Sequence, residues 1–231
     1  MKRIPLTLLS GLMLLAVSGR ADIVMGSDPT TPGTYAGTDF CTGCLFAYAA
    51  VPANAVGLSV TSWSFYAYPF PSDPPPGDPT GAGNLITPLL FQNSGSGIFT
   101  VIGVGTTRVN PGGGGQLSYS FGLTSGTDVL GAGDYLGWRD GGTAAGSGNN
   151  GTISLSLGPT PAGPGIFYSG YPGYAGPVAA GDPFTFTNAS TDSRTYSVDF
   201  TATPEPMYFG ALGIGLGILA LVRRRRVSAR S

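Results

Sequence analysis

The chain contains no histidine, and that absence excludes more than any motif admits. Without imidazole there is no Ser-His-Asp triad, no Cys-His pair and almost none of the usual zinc or haem ligation. Lysine is missing from residues 22–203, whose only basic side chains are Arg108, Arg139 and Arg194. Against those three stand 11 aspartates, so this stretch carries a net charge of −8 although the whole chain reads −1. A nucleic-acid binder needs a basic surface to displace counterions from phosphate, and three scattered arginines in a negative field do not supply one. Glutamate is missing from the same stretch, the chain's only one being Glu205. No segment of ten residues reads as an amphipathic helix.

What is abundant is glycine, 39 of 231 residues, and proline, 20, interleaved with runs of Val, Ile, Thr, Phe and Tyr. Short strands joined by many turns are the natural product of that mixture. Strands are expected at 58–68, 86–92, 97–104, 116–123, 129–139, 152–157, 184–188 and 195–201. The first alternates Leu58, Val60, Trp63, Phe65 and Ala67 with one slip of phase at Thr61 and Ser62, as a bulge produces. In the last, Tyr196, Val198 and Phe200 share a face. Prolines crowd residues 69–79, where the missing N–H groups forbid a sheet interior and imply an exposed extended loop. The expected architecture is all-β, a β-sandwich of jelly-roll type spanning residues 22–203 as one domain.

The two ends differ from this body. Met1, Lys2 and Arg3 give a positive start, residues 4–17 an apolar stretch, and Gly19-Arg20-Ala21 a small-x-small cleavage site, which together make 1–21 a secretory signal peptide. At the other end Pro204-Glu205-Pro206 precedes an apolar segment, 207–222, and then Arg223, Arg224, Arg225 and Arg226. Sixteen helical residues rise about 24 Å, short of a bilayer core of about 30 Å, so this membrane helix would need thinning or snorkelling arginines. The positive-inside bias keeps the arginines cytoplasmic and sends the body to the side where the signal peptide also directs it.

This ordered tail resembles the PEP-CTERM sorting signal, a family pattern of Pro-Glu-Pro, a transmembrane stretch and an arginine-rich end, here over 204–231. The resemblance implies a Gram-negative bacterium and processing by an exosortase, a membrane-embedded transpeptidase-like enzyme of which this chain is a substrate. It further implies inner-membrane transit as a single-pass protein, then delivery to the cell surface or extracellular polysaccharide matrix. The body is similar to β domains associated with that signal through Ile86-Thr87-Pro88-Leu89-Leu90-Phe91, Val101-Ile102-Gly103-Val104-Gly105-Thr106-Thr107 and Tyr135-Leu136-Gly137-Trp138-Arg139-Asp140-Gly141.

Candidate chemistry in the body is thin. Cys41 and Cys44 are the only cysteines. A redox role for Cys41-Thr42-Gly43-Cys44 would need a helix N-terminus in a βαβ setting, which the sequence lacks, so a local disulfide in an oxidising compartment is the favoured expectation over free thiols. The densest mix of aromatic and acidic residues is Asp134, Tyr135, Trp138 and Asp140, suited to sugar stacking or a hard cation. The competing reading makes this a core strand with Trp138 buried and Arg139 paired to an aspartate. Glycoside hydrolysis needs two carboxylates flanking the scissile bond, and no spacing here picks out an acid and a nucleophile. Neither an EF-hand loop nor a glycine- and aspartate-rich calcium repeat is present.

The expectation is therefore an exported, non-enzymatic protein with no cofactor and no metal. Its partners are signal peptidase and an exosortase during export, the membrane through 207–222, and extracellular polysaccharide or neighbouring matrix proteins afterwards. Two alternatives stay open: a secreted polysaccharide hydrolase using aspartates, and a structural spacer with no ligand.

Overall fold

A computed structural model describes residues 21–30, 44–67, 84–111, 114–143, 155–157, 167–169, 178–186, 188–189 and 194–204. The expected signal peptide 1–21 apart from Ala21, the proline-rich 69–79, Cys41, and the expected sorting tail 204–231 apart from Pro204, with its segment 207–222 and Arg223 to Arg226, lie outside the described residues. Asp22–Thr203 forms one compact unit of the chain. Among the described residues, no helix is long and apolar enough to cross a membrane.

The unit is almost wholly β. Its strands in chain order are β1 (Ile23–Gly26), β2 (Leu45–Ala50), β3 (Ser59–Ala67), β4 (Asn84–Asn93), β5 (Ile98–Val104), β6 (Arg108–Val109), β7 (Gly115–Ser120) and β8 (Ser125–Gly126). There follow β9 (Asp134–Thr143), β10 (Leu155–Leu157), β11 (Phe167–Ser169), β12 (Pro183–Thr185), β13 (Asn188–Ala189), β14 (Arg194–Tyr196) and β15 (Val198–Thr203). A four-stranded sheet runs β1-β15-β3-β7, and a nine-stranded one runs β12-β5-β4-β9-β2-β11-β13, with β6 on β4 and β8 on β5. β10 and β14 form a two-stranded ribbon. The pairings are antiparallel.

The two larger sheets share a hydrophobic core because alternation turns one face of each strand towards the other sheet. Trp63, Phe65, Val198 and Phe200 come from the four-stranded sheet, and Phe46, Tyr48, Ile86, Leu90, Leu136 and Trp138 from the nine-stranded one. Each large apolar side chain removed from water contributes about 1.5–3 kcal/mol, so this layer is the main source of stability. The opposite face of the larger sheet has a second, smaller core of Leu45, Ala47, Leu89, Phe91, Phe99 and Val101, closed by Phe184 and Phe186. Burial on both faces makes β2 a continuous apolar run with no alternation, which is why the sequence does not announce it as a strand.

Local departures have identifiable causes. Between β15 and β3 the register passes from Thr201↔Ser62 to Ala202↔Val60, leaving Thr61 as the extra residue of a bulge at the expected phase slip. Proline is rare inside a central strand, yet Pro88 is buried in β4. On one side β4 pairs with β6 at Leu85 and Ile86 and with β5 from Leu89 onward, so Pro88 sits where that ladder is interrupted. The expected strand 129–139 is divided: Val129 makes an isolated antiparallel bridge to Ser59 and Leu130 bonds to Leu58, residues 131–133 turn, and β9 begins at Asp134. The expected strand 195–201 breaks at Ser197 into β14 and β15.

Candidate functional site

The four residues singled out on β9 do not converge. Asp134, Trp138 and Asp140 share the face turned into the inter-sheet core, where all three are buried, while Tyr135 projects from the other face. Trp138 stacks on Phe46 at 4.8 Å and meets Tyr196 edge-on at 5.0 Å and Tyr48 at 5.8 Å. A ring enclosed on this scale offers no platform to a sugar. Tyr135 packs edge-on against Phe99 at 5.4 Å beside the second core.

Asp134 works as a turn clamp. Its Oδ2 accepts the Gly131 backbone N–H at 2.7 Å, and its own carbonyl accepts from the Val51 N–H at 2.9 Å. Burial pushes its carboxyl above the ordinary range, and the Gly131 hydrogen bond only partly opposes this. Six residues of extended strand put Asp140 about 20 Å away, too far for the pair to share a cation or a glycosidic bond. No group of three or more His, Cys, Asp or Glu able to hold a metal occurs among the described residues.

Cys44, fully buried immediately before β2, is disulfide-bonded. Its carbonyl accepts the Asp140 backbone N–H at 2.9 Å. Nearby, Tyr48 donates to the Tyr196 carbonyl at 3.2 Å and shares a hydrogen bond with the Ser27 hydroxyl, tying the end of β1 to β2. Burial raises the Tyr48 phenol, and the Ser27 contact partly lowers it.

The most organised polar constellation is one that the sequence reading did not single out. On the outer face of the four-stranded sheet the register aligns Asp199, Ser64 and Ser118 in one row across β15, β3 and β7. The next row aligns Thr201, Ser62 and Ser120. Ser118 donates its hydroxyl to Ser64 Oγ at 3.0 Å, and Ser64 donates in turn to the Asp199 carboxylate from its hydroxyl and its backbone N–H. In the second row the Arg108 guanidinium donates to Ser120 Oγ at 3.3 Å while lying 5.1 Å from the Tyr119 ring centre. Burial raises the Asp199 carboxyl, the Ser64 hydrogen bonds oppose that, and the charge of Asp28 adds to it. Asp28, exposed, is lowered by the Thr30 hydroxyl and backbone N–H, which both donate to its Oδ1. Strand alternation could have marked Ser62, Ser64, Asp199 and Thr201 as outward. Their alignment into rows needs the pairing of β3 with β7 and β15.

Fold and site together define an all-β protein of antiparallel sheets with an aromatic core and a hydroxyl-rich outer face. No family model, no curated protein and no solved structure matches the chain.

Proposed function

We propose that this is an exported surface or matrix protein of a Gram-negative bacterium. Residues 1–21 direct it across the inner membrane and are removed by signal peptidase. An exosortase then acts on 204–231, and the body is released to the cell surface or the extracellular polysaccharide. The body is a non-enzymatic jelly roll that associates with that polysaccharide or with neighbouring matrix proteins.

The observation that carries the sorting reading is the order of the tail: Pro204-Glu205-Pro206, an apolar stretch of 16 residues, then Arg223, Arg224, Arg225 and Arg226, in a chain that opens with a signal peptide. The fold adds support. Ile23, the first residue of β1, pairs with Ala202, the penultimate residue of β15, so the two ends of the body lie on adjacent strands. A β unit with neighbouring ends can lose its leader and hang from its tail without disturbing its core.

The jelly-roll reading rests on strand order. Taking β1, β2, β3, β4, β5, β7, β9 and β15 as the first to eighth principal strands, one sheet reads first-eighth-third-sixth and the other fifth-fourth-seventh-second. That interleaving is two Greek keys wound into a double sheet, an architecture shared by lectin and capsid domains.

The test is fractionation of the producing bacterium with and without residues 207–231. The truncated protein is expected in the soluble exported fraction with an unchanged β spectrum, and the full chain in the membrane or matrix fraction. Retention of both forms in the cytoplasm would overturn the export reading.

A further inference from the structure

The outer face of the four-stranded sheet has a built-in hydrogen-bond polarity, and that polarity selects a ligand. Ser118 gives its proton to Ser64, which gives its own to Asp199, so the exposed Ser118 oxygen is left to accept. Ser120, on the same face of β7 two residues along, has an oxygen that accepts from Arg108, so its proton is left to donate. An acceptor and a donor thus stand about 7 Å apart along one exposed strand. Gln116, also exposed, continues the row with a side chain that both donates and accepts.

An anion fails at Ser118, which has only lone pairs left, and a metal ion leaves the Ser120 proton without a partner. A chain of hydroxyls matches both, because each hydroxyl donates and accepts. The body's −8 charge, with Asp28 and Asp199 beside this row, repels an acidic polymer. Recognition here does not use tryptophan stacking, since Trp63 and Trp138 are both fully buried.

We propose that this face binds an uncharged, hydroxyl-rich polysaccharide chain, with Ser118 and Ser120 in direct contact and Asp199 acting through Ser64 as the positioning residue that fixes the Ser118 hydroxyl. The proposal deepens the matrix reading above and rests on it. Contacts of this kind are individually weak, and a repeating polymer meeting many copies of the protein at a surface gains its hold by multivalency.

The test uses the full chain in detergent and the producer's extracellular polysaccharide, separated by anion exchange into neutral and acidic fractions. The wild-type protein is expected to bind the neutral fraction. Ser118→Ala with Ser120→Ala is expected to weaken that binding at least about tenfold with an unchanged melting temperature, since both side chains are exposed. Asp199→Asn, whose amide can donate towards Ser64, is expected to weaken it in the same direction. Undiminished binding by the double variant would overturn this assignment and leave the matrix reading standing. Binding of the acidic fraction alone would overturn the proposed ligand class. Binding of neither fraction would overturn the proposal and the polysaccharide reading together.

Discussion

Phe46 and Trp138 face each other across the β2–β9 ladder and stack with their ring planes 14° from parallel. Tyr48 and Tyr196 close around the indole edge-on, so one aromatic cluster joins the middle of the larger sheet to β14. Neither Trp138 nor Trp63 has a hydrogen-bond partner for its indole N–H among the described residues.

Trp138→Ala should therefore cost about 3–5 kcal/mol, the range for emptying a packed aromatic site. Trp138→Phe should cost clearly less, because it keeps a stacked ring and removes an unsatisfied donor. Denaturant unfolding followed by far-ultraviolet circular dichroism checks this. A nearly neutral alanine variant would mean that Trp138 is not at the centre of the core.

Gly137 lies beside that stack, opposite Ala47 on β2. A Cβ placed there would collide with the Phe46 carbonyl oxygen, part of the backbone of the paired strand. Gly137→Ala is expected to force β2 and β9 apart and to appear as insoluble protein or a loss of several kcal/mol, on the order of other severe core defects. A soluble variant with wild-type melting would contradict the close approach of these strands.

The acid response follows from Asp134 and Asp199, both raised above the ordinary carboxyl value by burial. Each binds its proton more tightly folded than unfolded. The stability this contributes is fully present below the unfolded value, near 3.8, and is lost as pH rises through the folded value. Acidifying from about pH 7 to about pH 4.5 should therefore raise the melting temperature, and Asp134→Asn should flatten the rise. Asp28 acts in the opposite sense, but below its ordinary value and outside this window. A melting temperature that falls over the interval would show that these carboxylates are not desolvated.

These residues show how far the sequence could be read. The all-β class, most strands and the bulge at Thr61 were legible, because glycine, proline and period-two alternation are local signals. β2 was missed because Leu45 to Ala49 are buried on both faces and do not alternate. β1 was missed because four residues before a turn carry too little pattern. On β9 the core reading of Trp138 agrees with the structure, whereas the sugar-stacking one required an exposed ring. The Asp199, Ser64 and Ser118 row was invisible because it draws on three strands far apart in the chain.

Cys44 is disulfide-bonded, and Cys41 is the chain's only other cysteine. An intrachain bond closes a loop of four residues and should add only about 2 kcal/mol. The intact protein from its native host should run as a monomer on non-reducing gels and gain the mass of two hydrogens on reduction. A disulfide-linked dimer would show that Cys44 pairs between chains.

Mass spectrometry of both termini of the mature protein, isolated from its native host, tests the proposed export and sorting. The expected result is an N-terminus at Asp22 and a C-terminus that has lost Arg223, Arg224, Arg225 and Arg226 only when an exosortase is present. An intact Met1, or a tail whose processing is indifferent to the exosortase, would contradict it.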